Sequence, residues 1–225
     1  MEEEEKVSKR QLILVGIAVL LTGILLIVKP TYSVFQVNKT INIMDAKVGD
    51  FGKLFVKSYG GSIEDYFIGV AQTTDGGYIA VGYSVSTDGD LTGLNKGNSD
   101  AIIVKYDNGG NLVWNKNFGG TLYDQFYSVL QTSDGGCIAV GYSNSINGDL
   151  ATLNKGDFDA IIVKYDSSGN VLWNKNFGGS VYDQFRSVVQ TSDGGYIAVG
   201  NSSSTNGDLT GINKGAVDAI IVKFK

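Results

Sequence analysis

Three loops of the chain carry oxygen-bearing side chains in one recurring arrangement. Asp88, Asp90 and Asp100 are followed by Asn147, Asp149 and Asp159, and then by Asn206, Asp208 and Asp218, each set enclosing one further asparagine (Asn95, Asn154, Asn213). A hard cation takes about six to eight oxygens in a compact loop, so these residues form a candidate calcium site written three times. No loop matches a full EF-hand. Asp and Asn also close turns by accepting nearby backbone amides, and both readings stand at this level. A second recurring carboxylate, at Asp65, Asp124 and Asp183, suits a symmetric rim or a structural turn better than catalysis, because a glycosidase needs two acids in different environments within one cleft.

The rest of the catalytic inventory is thin. There is no histidine, which removes the usual neutral-pH base and the commonest metal-binding nitrogen. Cys137 has no second cysteine to pair with. It fills the slot that Tyr78 and Tyr196 hold in the other copies, as a drifted packing residue would. The expectation is a protein that is not an enzyme and has no cofactor other than the candidate calcium, with a structural envelope protein assembling through shared rings as one alternative and a glycan-acting hydrolase as the catalytic one. A formal charge of −5 argues against a grip on nucleic acid.

The elements that must position these residues repeat with a period of 59. Asp75-Gly76-Gly77 recurs as Asp134-Gly135-Gly136 and Asp193-Gly194-Gly195, and Trp114 recurs as Trp173. Within the second copy, residues 125–131 and 137–142 flank a Gly-Gly turn and read as a hairpin. Residues 159–165 and 170–176 read as two further strands about the turn 166–169. Four short antiparallel strands per unit describe a propeller blade, and a repeat of this length stacks on its own copies.

The last unit stops after Phe224, before a fourth strand, whereas Gly52 to Ser58 is an extra copy of that strand at the start of the domain. The expected fold is therefore an all-β, propeller-like array of three four-stranded antiparallel units over residues 52–225, with the N-terminal strand closing the last unit. Three blades are fewer than the usual four to eight. The ring is then either an unusually small one or a larger one completed by a homo-oligomer.

Residues 73–84 (TTDGGYIAVGYS), with near copies at 132–143 and 191–202, and WNKNFGG at 114–120 and 173–179 resemble the roughly sixty-residue β-propeller repeats of secreted and surface proteins of bacteria and archaea. That resemblance implies a scaffold outside the membrane and brings no catalytic residues with it. Ahead of the repeats, Leu12 to Val28 is free of charge and long enough, at about 25 Å as a helix, to approach a bilayer span. Lys6, Lys9 and Arg10 precede it, which favours a cytoplasmic tail over 1–11, a transmembrane helix or signal anchor over 12–28, a stalk over 29–51, and a single-pass protein of the cell membrane with its C-terminal domain extracytoplasmic.

The copies differ at a minority of their positions. Tyr127, Arg186, Tyr142, Asn201 and Phe158 are among them and form the candidate interaction face, for a protein or glycan partner at the cell surface. Their gathering on one face is the structural condition that such a face must meet.

Overall fold

The computed structural model describes residues 55–151 and 153–225, which form three antiparallel sheets built from eleven strands. The first sheet holds β1 (Asp65–Gln72), β2 (Tyr78–Ser84), β3 (Asp100–Tyr106) and β4 (Leu112–Phe118) in chain order. The middle sheet holds β5 (Asp124–Gln131), β6 (Cys137–Ser143), β7 (Asp159–Tyr165) and β8 (Val171–Phe177). The last holds β9 (Asp183–Gln190), β10 (Tyr196–Ser202) and β11 (Asp218–Phe224). By contact clustering the chain divides into Met1–Val56 and Lys57–Lys225, and all eleven strands lie in the second unit.

Local chemistry sets each hairpin. The turn between β5 and β6 closes with Thr132 N donating to the Gly136 carbonyl and Gly135 N to the Thr132 carbonyl, both at 2.9 Å, while Asp134 accepts from the Gly136 amide at 3.0 Å. Gly135 takes φ +82° at its tip, a left-handed conformation that disfavours side chains. Opposite, β5 bulges between Phe126 and Ser128, and Gly141 of β6 sits against the bulge. A Cβ on Gly141 would stand 1.8 Å from the Gln125 carbonyl oxygen, so the strand interior demands glycine there.

Burial follows the two faces of each pleat. Ile79, Val81, Ala101 and Ile103 on the rear of the first sheet pack against Phe126, Cys137, Ala139, Ile161, Val163 and Tyr165 on the front of the middle sheet. Ile138, Val140, Ala160 and Ile162 on the middle sheet's rear pack in the same way against Phe185, Tyr196, Ala198 and Ile220. In each joint the first strand of one sheet crosses the face of the sheet before it: β5 meets β1, β2 and β3, and β9 meets β5, β6 and β7.

Several expectations are corrected here. The three-sheet, all-β content holds, but the sheets do not close or curl into a propeller. Phe67 on the first sheet is 43% exposed and Ile221 on the last is 72% exposed, where their middle-sheet equivalents Phe126 and Ile162 are fully buried. Closure would have covered both. The N-terminal strand does not complete the last sheet either: residues 55–58 lie in no strand, residues 52–54 are outside the described residues, and β11 is an edge with β10 as its neighbour. The ring, whether of one chain or completed by a homo-oligomer, is withdrawn with it.

The membrane expectation is also corrected. The tail over 1–11, the span over 12–28 and the stalk over 29–51 lie outside the described residues, and among the described residues no helix is long and apolar enough to cross a membrane. The only helical segments there are three-residue 3-10 turns at Gly89–Leu91, Gly148–Leu150 and Gly207–Leu209. The hydropathy of one short segment, the basic residues ahead of it and the resemblance to surface-protein repeats were the basis for a membrane-anchored, extracytoplasmic module and its single-pass localisation, and neither is retained.

Candidate functional site

The polar loops are built from backbone amides closing on carboxylates. Asp88 Oδ1 accepts from Ser62 N at 2.7 Å, and Asp90 Oδ2 from Gly60 N at 3.0 Å. Asn147 and Asp149 repeat this with Thr121 N at 2.9 Å and Gly119 N at 3.0 Å, and Asn206 and Asp208 with Ser180 N at 2.8 Å and Gly178 N at 3.0 Å. Asp100 accepts from Lys96 N at 2.8 Å and from the Asn117 side chain, Asp159 from Lys155 N and from Asn176 at 2.6 Å, and Asp218 from Lys214 N. Among the described residues no three carboxylates come together as a metal-holding group. Backbone amides already use several of the oxygens that calcium would need, and Oδ1 of Asp100 and of Asp159 is left without a partner.

Asp124 shows what the second carboxylate set does. It is fully buried, its oxygens accept from Ser143 Oγ, from Ser145 Oγ at 2.8 Å and from Gly120 N at 2.8 Å, and burial raises its pKa. Asp65 and Asp183 hold the equivalent serines, Ser84 and Ser86, and Ser202 and Ser204. Each ties the start of a sheet to its own second strand. This is a fastening, and it places no acid in a cleft where a substrate bond could lie, so the hydrolase alternative falls too.

The five variable positions of the candidate interaction face, in contrast, meet. Tyr142 is the hub: its ring centre lies 5.6 Å from Tyr127, 5.3 Å from Phe158 and 5.9 Å from Tyr182. Phe158 and Tyr182 stand 5.2 Å apart. The Arg186 guanidinium lies over the Tyr127 ring at 4.0 Å, a stacking that suits the ring's negative face. Asn201 joins from behind, accepting from Gln184 Nε2 at 2.6 Å, while Gln184 Oε1 accepts from Tyr182 Oη at 2.9 Å. Gln125 accepts from Tyr142 Oη at 2.8 Å.

The elements explain the convergence. Tyr127 lies on β5 and Tyr142 beside it on β6. Phe158, in the loop before β7, makes a parallel bridge with Tyr182 just before β9, and its carbonyl accepts from Asp183 N at 2.6 Å. That bridge carries the last sheet onto the middle one and sets Arg186 above Tyr127. Burial raises the Tyr142 phenol well above its ordinary range and pushes Tyr182 up to about 12, so both hydroxyls stay neutral donors and acceptors at physiological pH. Arg186 is exposed and the four rings are half-buried.

All five residues expected on the interaction face therefore belong to one patch. Tyr182, Gln125 and Gln184 complete it and were not among them. Their signal was available, since the first copy has Glu64 where the other two have Tyr123 and Tyr182, and Tyr66 where they have Gln125 and Gln184. In the first sheet the patch has no counterpart beyond a Tyr66–Tyr83 stack at 5.0 Å.

No family model matches the chain. Regulatory protein FlaEY of Caulobacter vibrioides is 27% identical over 173 residues, covering 71% of this chain and 17% of FlaEY. Among solved structures, a Bacteroides caccae protein of unknown function gives a TM-score of 0.36 at 13% identity, covering 59% of this chain and 37% of that one. Sqt1 from Chaetomium thermophilum gives 0.30 at 12% identity, covering 60% and 30%. Structural likeness at this level assigns neither fold nor activity to the chain.

Proposed function

We propose that the domain is a non-catalytic recognition scaffold that binds a polypeptide through the Tyr127, Tyr142, Phe158, Tyr182 and Arg186 patch. One observation carries this reading: Tyr127, Tyr142, Phe158 and Arg186, each at a position where the repeats differ, meet with Tyr182 on a single surface. The residue types agree with it, because tyrosine and arginine are enriched where a few side chains supply most of the binding energy, giving large contact area at small entropic cost. Hydroxyl and amide groups beside the rings match the mixed polar and apolar character of a peptide. The description of FlaEY as a regulatory protein is in keeping with binding in place of catalysis.

The test is a random twelve-residue peptide library displayed on phage and panned against the full chain. Enriched sequences are expected to lose at least tenfold in affinity on Arg186→Ala and on Tyr142→Ala, and to be unaffected by Ile146→Ala, an exposed loop residue. Peptides that bind both patch variants as tightly as the unaltered chain would remove this reading.

A further inference from the structure

The two joints between sheets use the same parts, and each part has an unused member at the ends of the array. Lys96 of the first sheet's loop pairs with Asp149 of the middle sheet, and Lys155 of the middle sheet with Asp208 of the last. Two groups of this series are left over among the described residues: Lys214 on the last sheet, and Asp90 on the first, neither in an ion pair. The glutamines follow the same rule. Gln131 Oε1 accepts from Thr74 N at 2.6 Å, and Gln190 Oε1 from Ser133 N at 3.0 Å, which leaves Gln72 on the first sheet and the Ser192 amide on the last.

The apolar surfaces are complementary in the same sense. The inserted strand of each joint carries a phenylalanine and a valine, Phe126 with Val129 and Phe185 with Val188, all buried. Their equivalents on β1, Phe67 and Val70, are exposed. The receiving face carries a valine and an isoleucine, Val81 with Ile103 and Val140 with Ile162, each fully buried. Their equivalents on the last sheet, Val199 and Ile221, are 38% and 72% exposed. A cavity of about 150 Å³ beside β11, lined by Ser202, Leu209, Asn213, Asp218 and Ile220 among others, lies where the other two sheets have a fourth strand. There Asn117 and Asn176 bond to Asp100 and Asp159; Asp218 has no such neighbour.

We infer that these two ends bind each other between copies of this chain, β1 of one copy crossing the β10–β11 face of a second as β5 and β9 cross their neighbours. Applying the repeat's own register sets Lys214 against Asp90, and Ser192 N against Gln72, of the next copy. It also sets residues 55–59 alongside β11. That segment is suited to the position: Tyr59 stacks on Phe67 at 5.8 Å, as Phe118 and Phe177, at the ends of β4 and β8, stack on Phe126 and Phe185 at 5.9 Å. The contact is heterologous, so two different surfaces meet and chains add head to tail without requiring a closed ring.

The experiment is sedimentation velocity of the full chain over a hundredfold concentration range. The unaltered chain is expected to grow in mass with concentration. Ile221→Glu, which blocks the receiving face, and Val70→Glu, which blocks the inserted strand, lie at exposed positions and are expected to keep the circular-dichroism melt. Each alone should remain a single chain, and the two mixed should form a discrete 1:1 dimer, since each retains the surface the other has lost. A single-chain mass for the unaltered protein throughout the range would overturn the inference. So would association that persists in both single variants, or a mixture that stays unassociated while the unaltered chain assembles.

Discussion

Arg186 and Tyr127 occupy the same place in successive repeats, yet they touch: the guanidinium carbon lies 4.0 Å from the ring centre. One position of the repeat meets its own next copy across a joint, so a change in either residue alters a contact between sheets as well as the exposed surface. The first copy has Ile68 there, 43% exposed.

Arg186→Ala is expected to leave the fold intact, because an exposed cation–π contact contributes about 0.5–1 kcal/mol. The melting temperature should move by no more than a few degrees while peptide binding falls. Arg186→Lys keeps the charge and loses the planar stack, and should recover less than half of the lost affinity. A fall in melting temperature beyond about 8 °C would make the residue chiefly structural.

The buried acids set a pH dependence of unusual sign. Burial raises Asp100 to about 7 and Asp159 to about 6, with the facing carboxylates Asp124 and Asp183 adding to it and the bonds from the Lys96 and Lys155 amides opposing it. A raised carboxyl holds its proton in the folded state after the unfolded chain has lost it. Stability should therefore decline as pH rises from about 4 to about 7. Below that window the trend reverses, because the ammonium and hydroxyl groups of Lys105 with Thr73, Lys164 with Thr132 and Lys223 with Thr191 hold Asp75, Asp134 and Asp193 below the ordinary range. Their contribution is present above the unfolded value and lost in acid. Urea melts between pH 4 and 8 test this, with Asp100→Asn expected to flatten the decline; stability that climbs from pH 5 to 8 would contradict it.

Two glycines of the middle sheet separate conformational cost from steric cost. Gly135→Ala places a Cβ in open space at φ +82°, and should cost about 1 kcal/mol. Gly141→Ala drives a Cβ into the Gln125 carbonyl and should cost more than about 3 kcal/mol. Chemical denaturation of both variants checks the order, and equal losses would mean that the bulge relaxes.

Removing Ser143 tests the fastening at Asp124. Ser143→Ala leaves a buried carboxylate oxygen without its hydroxyl donor, and a loss of about 1–3 kcal/mol is expected. Ser143→Thr retains the donor and should recover part of it. A neutral Ser143→Ala would show that solvent reaches Asp124.

Cys137 is buried and its thiol is pushed up to about 12 by that burial. In the native protein it should resist Ellman's reagent for as long as the fold persists, and label at the rate of unfolding when denaturant is added. Stoichiometric labelling of the native chain within minutes would show that the joint between the first and middle sheets opens.

The sequence by itself determined the units. Residues 159–165 read as a strand and form β7 with the same bounds; the strands expected over 125–131 and 137–142 differ from β5 and β6 by one residue at one end, and that over 170–176 from β8 by one residue at both ends. Period-two alternation and Gly-Gly turns act within a dozen residues, which is why they are legible. The gathering of Tyr127, Tyr142, Phe158, Asn201 and Arg186 was foreshadowed by their variation between copies, but their contact needed the Phe158–Tyr182 bridge. Tertiary structure alone decided that the array stays open and that the loop acids hold amides. Asp88 and Asp90 reach amides 26 and 30 residues away, and the joints bring together side chains of different repeats, contacts that are absent from any local pattern.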